Sequence, residues 1–178
     1  LAVLIAPAYA QTEWTKHGPV QAASGGDFTM DGLGTTVIKE DGLYRIWHVE
    51  HSGGVGHHIA YATSSDAITW EKHGPALTQA SWDRQSMYVP FVMKDEGIYK
   101  MWYSGHNGSG GHFDIGYATS PDGLTWTRSP ANSPIYTDAE VPVGHELYLG
   151  SVVRVGSEYK MWLWTWPGVT SDYDIRYA

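Results

Sequence analysis

The chain has 178 residues, a net charge of −8, 21 glycines and no cysteine. An acidic chain without a basic run speaks against a nucleic-acid partner, and the missing cysteines exclude disulfide and thiolate chemistry. Beyond the first residues no apolar segment approaches the length of a membrane-spanning helix.

Residues 1–10, Leu-Ala-Val-Leu-Ile-Ala-Pro-Ala-Tyr-Ala, read as the end of a secretory signal. An apolar stretch leads into Ala8-Tyr9-Ala10, a small-x-small cleavage pattern, so a secreted or periplasmic product is expected. Residues 12–17 read as a lone outer strand. A first unit runs from about 27 to 73, a second from about 83 to 130, and a third starts near 143 and is incomplete. The second is the clearest. Residues 88–93 form an apolar inner strand that tolerates Pro90 because one of its edges is unpaired. Asp95-Glu96-Gly97 is a hairpin turn in which glycine supplies a positive φ. Residues 98–104 are a second strand, 105–111 a glycine-dense loop, 114–119 a third strand, and 125–128 an outer strand after the Pro121-Asp122-Gly123 turn. Helical periodicity is absent throughout.

These units repeat at a period of about 56 residues. Trp14, Trp70 and Trp126 are spaced by 56. Tyr61-Ala62-Thr63-Ser64 returns as Tyr117-Ala118-Thr119-Ser120 and begins again at Tyr177-Ala178. Tyr44-Arg45-Ile46-Trp47 returns at Tyr99-Lys100-Met101-Trp102 and Tyr159-Lys160-Met161-Trp162. Short strands repeating at this period predict an all-β fold, a β-propeller of four-stranded blades. A propeller closes its ring to protect its edges. About two and a half blades of a probable five are therefore expected in residues 11–178, with 12–17 as the outer strand of the last blade and the chain as a piece of a larger protein. Tryptophans that recur in every unit are expected to pack blade on blade. Trp164 and Trp166 do not recur and are candidates for a sugar platform.

The string Ser81-Trp82-Asp83 through Tyr99-Lys100-Met101-Trp102-Tyr103-Ser104-Gly105, followed by Ile115 to Trp126, resembles the five-bladed propeller glycoside hydrolases of families 43 and 32. These are the arabinanase, xylosidase, levanase and invertase-like enzymes. The resemblance covers almost everything after residue 12. It implies a carbohydrate substrate and a pair of carboxyl groups, one acid and one base or nucleophile. Ser120 to Trp126 is also close to the sialidase Asp-box turn, one residue short, and Asp122 is expected to cap that turn.

Thirteen residues before Tyr44, Tyr99 and Tyr159 stand Asp31, Ser86 and Glu146. The start of an inner strand faces the channel mouth, and so do the loops 51–58 and 105–113. The order of acids that the resemblance implies is met by Asp31 as base or nucleophile, Asp83 as an orienting or pKa-tuning partner, and Glu146 as general acid. The sequence departs from that pattern: Gly32 follows Asp31, and Asp83 lies in Trp82-Asp83-Arg84. Counting instead from the tryptophans pairs Asp83 with Asp27 as a repeated structural residue. His51, His106, His112 and His145, with Trp164 and Trp166, are candidates for substrate contact. The histidine spacing matches no zinc pattern, and a channel calcium, known in some resembled enzymes, would need an oxygen cluster that is not evident. No metal or cofactor is assigned, and the oligomeric state stays open. The alternatives to a hydrolase are a non-catalytic propeller binding carbohydrate or protein, and a sialidase-like enzyme. The latter would need an arginine cluster, for which Arg84 and Arg154 are the candidates.

Overall fold

The computed structural model describes residues 15–25, 29–30, 33–51, 53–54, 56–108, 113–137, 141, 145–166 and 174–178. The signal-like residues 1–10 and Trp14 fall outside these. The described chain is all-β, with a single 3-10 turn at Ser81–Asp83 and no α-helix.

Its strands are β1 (Gln21–Ala22), β2 (Thr35–Glu40), β3 (Leu43–His51), β4 (His57–Ser64), β5 (Thr69–Leu77), β6 (Ser86–Asp95), β7 (Ile98–His106), β8 (Asp114–Ser120), β9 (Thr127–Arg128), β10 (Glu146–Val155), β11 (Glu158–Trp166) and β12 (Ile175–Tyr177). They form three sheets, in the orders β1-β5-β4-β3-β2, β6-β7-β8-β9 and β10-β11-β12. The first sheet draws on residues 21–77, the second on 86–128 and the third on 146–177, and within β2–β5, β6–β9 and β10–β12 neighbouring strands are antiparallel. One addition was not expected. β1 runs parallel to β5, with Gln21 opposite Thr69, as a fifth strand on the first sheet. Thr15 to His17 lie in no strand.

The hairpin between β6 and β7 turns at Glu96 and Gly97, with φ of 53° and 81°. Two successive positive φ values match the twist of the flanking strands. The turns between third and outer strands are built twice in the same way. Asp66 Oδ1 accepts from the Ile68 and Thr69 N–H groups, each at 2.8 Å. Asp122 Oδ1 accepts from Leu124 and Thr125 at the same distances. Ser64 and Ser120 donate to these carboxylates, and the indoles of Trp70 and Trp126 donate to Ala67 O and Gly123 O. The carboxylates thus satisfy backbone donors that the turn strands, and this holds Asp66 down to about 2.

The core lies between sheets. Trp47 is fully buried; its ring meets Tyr61, Tyr99 and Trp126, and its indole donates to Gly123 O of the second sheet. Trp102 packs likewise against Tyr117 and Tyr159. The third tryptophan of the slot, Trp162, is 36% exposed, since no described sheet covers its outer face. Polar clamps reinforce both joints. Glu40 at the end of β2 accepts from Lys94 and Tyr99 of the second sheet. Asp95 at the end of β6 accepts from Arg154 and Tyr159 of the third. Glu40 and Asp95 each stand four residues before a repeated tyrosine, and Val155 fills that slot in the third sheet.

Pro90 sits in a bulge of β6, where the register shifts between Tyr88 and Phe91. It therefore removes no ladder bond, and the reason it is tolerated is the bulge rather than a free edge. The groups the bulge releases are taken up by the neighbouring inner strand. Val89 N donates to Leu33 O at 2.8 Å, Thr36 Oγ1 donates to Pro90 O at 2.7 Å, and Val92 N donates to Thr36 Oγ1 at 3.2 Å. β10 bulges in the same region, between Leu149 and Ser151, and there Leu149 N donates to Ser104 Oγ.

Candidate functional site

The register brings the starts of the inner strands to the ends of the second strands. Ser86 lies opposite His106, Glu146 opposite Trp166, and His51 opposite His57. At this end of the three sheets an unbroken run of aromatic rings crosses from the first sheet to the third. His57 contacts Tyr88 (4.8 Å between centroids), Tyr88 contacts Phe113 (5.4 Å), Phe113 stacks on Tyr148 (4.9 Å, 29°), and Tyr148 stacks on Trp164 (4.6 Å, 24°). His51 meets His57 edge-on, and His106 stacks on Phe113. Tyr148 and Trp164, with Leu33 and Trp166, line a cavity of about 220 Å³. Leu33, Tyr88 and Tyr148 all stand eleven residues before a repeated tyrosine. In β6 and β10 that is two residues beyond Ser86 and Glu146, so the pleat puts Tyr88 on the face of Ser86 and Tyr148 on the face of Glu146.

Glu146, half-buried, is the first residue of β10. The Tyr148 hydroxyl donates to its Oε2. Burial, followed by this bond and the nearby negative charge, pushes the Tyr148 phenol well above its ordinary range. Burial likewise raises Tyr88, with Glu146 adding to the shift. Tyr88 shares a hydrogen bond of 2.6 Å with His57 Nδ1. His145 directly precedes Glu146 in the chain.

Asp83 is placed differently from Glu146. Its carboxyl is fully buried. Oδ2 accepts from Tyr103 OH at 2.8 Å and Arg128 Nε at 2.9 Å, and Oδ1 accepts from Ala80 N at 2.8 Å. Tyr103 belongs to the core between the first and second sheets. Asp83 therefore has both carboxylate oxygens engaged in a joint between sheets and is not among the residues that line the cavity beside Glu146. Asp31 and His112 lie outside the described residues.

His51 and His106 repeat in conformation as well as in position. Each Nδ1 accepts from the N–H two residues on, Gly53 at 3.1 Å and Gly108 at 3.3 Å. Among the described residues no group of three or more histidines and carboxylates is set to hold a metal ion. Of the arginines that a sialidase-like site would need, Arg154 is held away from this end. Arg84 Nε donates to Asn107 O, and Arg154 is bound to Asp95 and Glu96 at the far end of the sheets. Sequence reasoning placed His51, His106, Glu146, Trp164 and Trp166 at this end. It missed Leu33, Tyr88, Phe113 and Tyr148. The shared slot of Leu33, Tyr88 and Tyr148 would have revealed three of them.

No family model matches the chain. It is 38% identical over 99 residues to an uncharacterized protein of Mycobacterium tuberculosis, a match that covers 52% of this chain and 32% of that protein. The chain thus spans about a third of the length of the curated relatives it matches. Among solved structures it is similar to a family 32 β-fructofuranosidase of Bombyx mori (TM-score 0.63, 10% identity, 82% of this chain and 33% of that one). It is also similar to a family 117 glycoside hydrolase of Zobellia galactanivorans (TM-score 0.58, 13% identity, 90% and 60%) and to an endo-arabinase of Bacteroides thetaiotaomicron (TM-score 0.58, 18% identity, 90% and 53%). At such identities the likeness concerns the fold alone: an all-β arrangement of sheets similar to that of these glycoside hydrolases.

Proposed function

We propose that this chain is part of a five-bladed propeller glycoside hydrolase whose catalytic groups sit at the channel mouth. Glu146 is the general acid and Asp31 the base or nucleophile. Trp164, Trp166 and the mouth histidines contact the sugar. Asp83 has the orienting role that a buried ion pair suits, acting through the scaffold. The observation that carries this reading is a half-buried carboxyl at the start of an inner strand, beside an aromatic cavity, on a fold shared with glycoside hydrolases. Stacking rings are the usual apolar lining of a small-ligand pocket, with few polar groups to set orientation. Two further sheets in the intact polypeptide would complete the ring and cover Trp162, and export would follow cleavage after Ala10.

The test uses the intact natural polypeptide on arabino-, xylo- and fructo-oligosaccharides. Asp31→Asn and Glu146→Gln are each expected to abolish turnover. A carboxyl separation of about 5 Å goes with retention of configuration and about 6.5–9.5 Å with inversion. Saturable glycan binding without turnover by the unaltered protein would instead identify a binding propeller.

A further inference from the structure

We propose that Tyr148 is the positioning residue of this site, the side chain that ties the aromatic platform to Glu146. The proposal rests on Glu146 being catalytic, as set out above. Two features of one side chain support it. The Tyr148 hydroxyl donates to Glu146 Oε2, two residues away on the same face of β10. Its ring is clamped between Phe113, which directly precedes β8, and Trp164 of β11, in near-parallel stacks on both. The same ring lines the cavity with Leu33, Trp164 and Trp166.

An isolated glutamate side chain has three rotatable bonds, and a catalytic carboxyl must be held near one geometry. Tyr148 supplies that restraint. Packed on both faces, it cannot swing, so the hydroxyl is a fixed point to which Oε2 is tethered, leaving Oε1 for the glycosidic oxygen. A sugar ring entering the cavity meets the Tyr148 and Trp164 platform and is thereby brought into register with the tethered carboxyl. The raised phenol keeps its proton across the working range, so the tether stays a donor. The slot explains why only this sheet offers the arrangement. Leu33 has no hydroxyl, and Tyr88 stands two residues after Ser86, which carries no carboxyl.

Tyr148→Phe keeps the ring and removes only the tether. In the intact polypeptide, on whichever of the three oligosaccharide classes is turned over, kcat is expected to fall about tenfold to a hundredfold with KM nearly unchanged. A hydrogen bond donated to a carboxylate favours the charged form. Its loss is therefore expected to move the pH profile of kcat in Tyr148→Phe relative to the unaltered protein. Trp164→Ala is the contrasting variant: it raises KM more than it lowers kcat. Tyrosine absorbance gives a readout independent of turnover: the Tyr148 phenol, told apart from the equally raised Tyr103 by its loss in Tyr148→Phe, should titrate lower in Glu146→Gln. An unchanged kcat and pH profile in folded Tyr148→Phe, with Glu146→Gln inactive, overturns this proposal alone. An active Glu146→Gln overturns the assignment of Glu146 and this proposal together. A phenol transition unmoved by Glu146→Gln overturns the tether whatever the turnover.

Discussion

Asp83 illustrates how one carboxylate can be read two ways from sequence and one way from its surroundings. It is withdrawn from water against Arg128 and Tyr103. A charge so buried is held only by its partners, and removing one leaves the other uncompensated. Asp83→Ala is accordingly expected to cost about 3–5 kcal/mol of stability, measured by urea unfolding. Asp83→Asn with Arg128→Gln should recover part of it. The turn slot shared by Ala67 and Gly123 gives a second residue-scale expectation. Both have positive φ, 63° and 79°, a region that costs an L-residue roughly 1–2 kcal/mol. Ala67→Gly should therefore stabilise the chain by about 1 kcal/mol. Gly123→Ala should destabilise it by more than that difference, because its methyl would also sit 3.0 Å from the Trp47 ring. Matched thermal melts decide both.

At the scale of elements, the joints between sheets carry the pH response. Lys100 and Tyr159 hydrogen bonds hold Asp95 down to about 2, from an ordinary 3.8. A group whose folded pKa is depressed stabilises fully above its unfolded value and loses that contribution as pH falls through the folded one. The joint between the second and third sheets should thus weaken between pH 3.8 and about 2, and Asp95→Asn should remove that part of the acid transition. Monitoring Tyr159 by NMR would follow it directly. Much of this level was legible in the sequence. The 56-residue repeat marked the sheets, and Asp95-Glu96-Gly97 marked the hairpin. Ser120 to Trp126 marked a turn whose carboxylate accepts two backbone N–H groups. The parts that were not legible depend on contacts between units. The pairing of β1 with β5 involves two residues with no pattern of their own. The bulge at Pro90 is set by what Thr36 and Leu33 offer across the joint. The burial of Asp83 depends on Arg128, 45 residues away. At the site, the repeat rule found the slot of Glu146 by its departure from Ser86. It passed over Tyr148 because tyrosines are common in every unit.

For the whole molecule, the third sheet presents an apolar face that no other described sheet covers. Trp162 is 36% exposed, Val153 45%, Val155 50%, Ile175 80% and Tyr177 57%. Scattered apolar side chains are ordinary on a surface, but a contiguous set on one sheet face signals an interface. On the proposed five-bladed propeller, Trp162 is expected to be covered as Trp47 and Trp102 are. Iodide quenching of a version retaining only this tryptophan would show it shielded, whereas quenching as efficient as for free indole would argue against a following sheet. The 178-residue chain prepared alone should self-associate, read by light scattering, and Trp162→Lys should relieve it.

The stitching at the bulges has a consequence for the order of the units. The first joint is fastened by Thr36 and the Leu33 carbonyl, the second by Ser104, and these do not occupy corresponding positions. The two joints thus use different keys. A chimera in which the first and second units trade places would carry every repeated tryptophan and tyrosine, yet offer the wrong hydroxyl at each seam. The repeated residues would survive the exchange, and the seams between sheets would not.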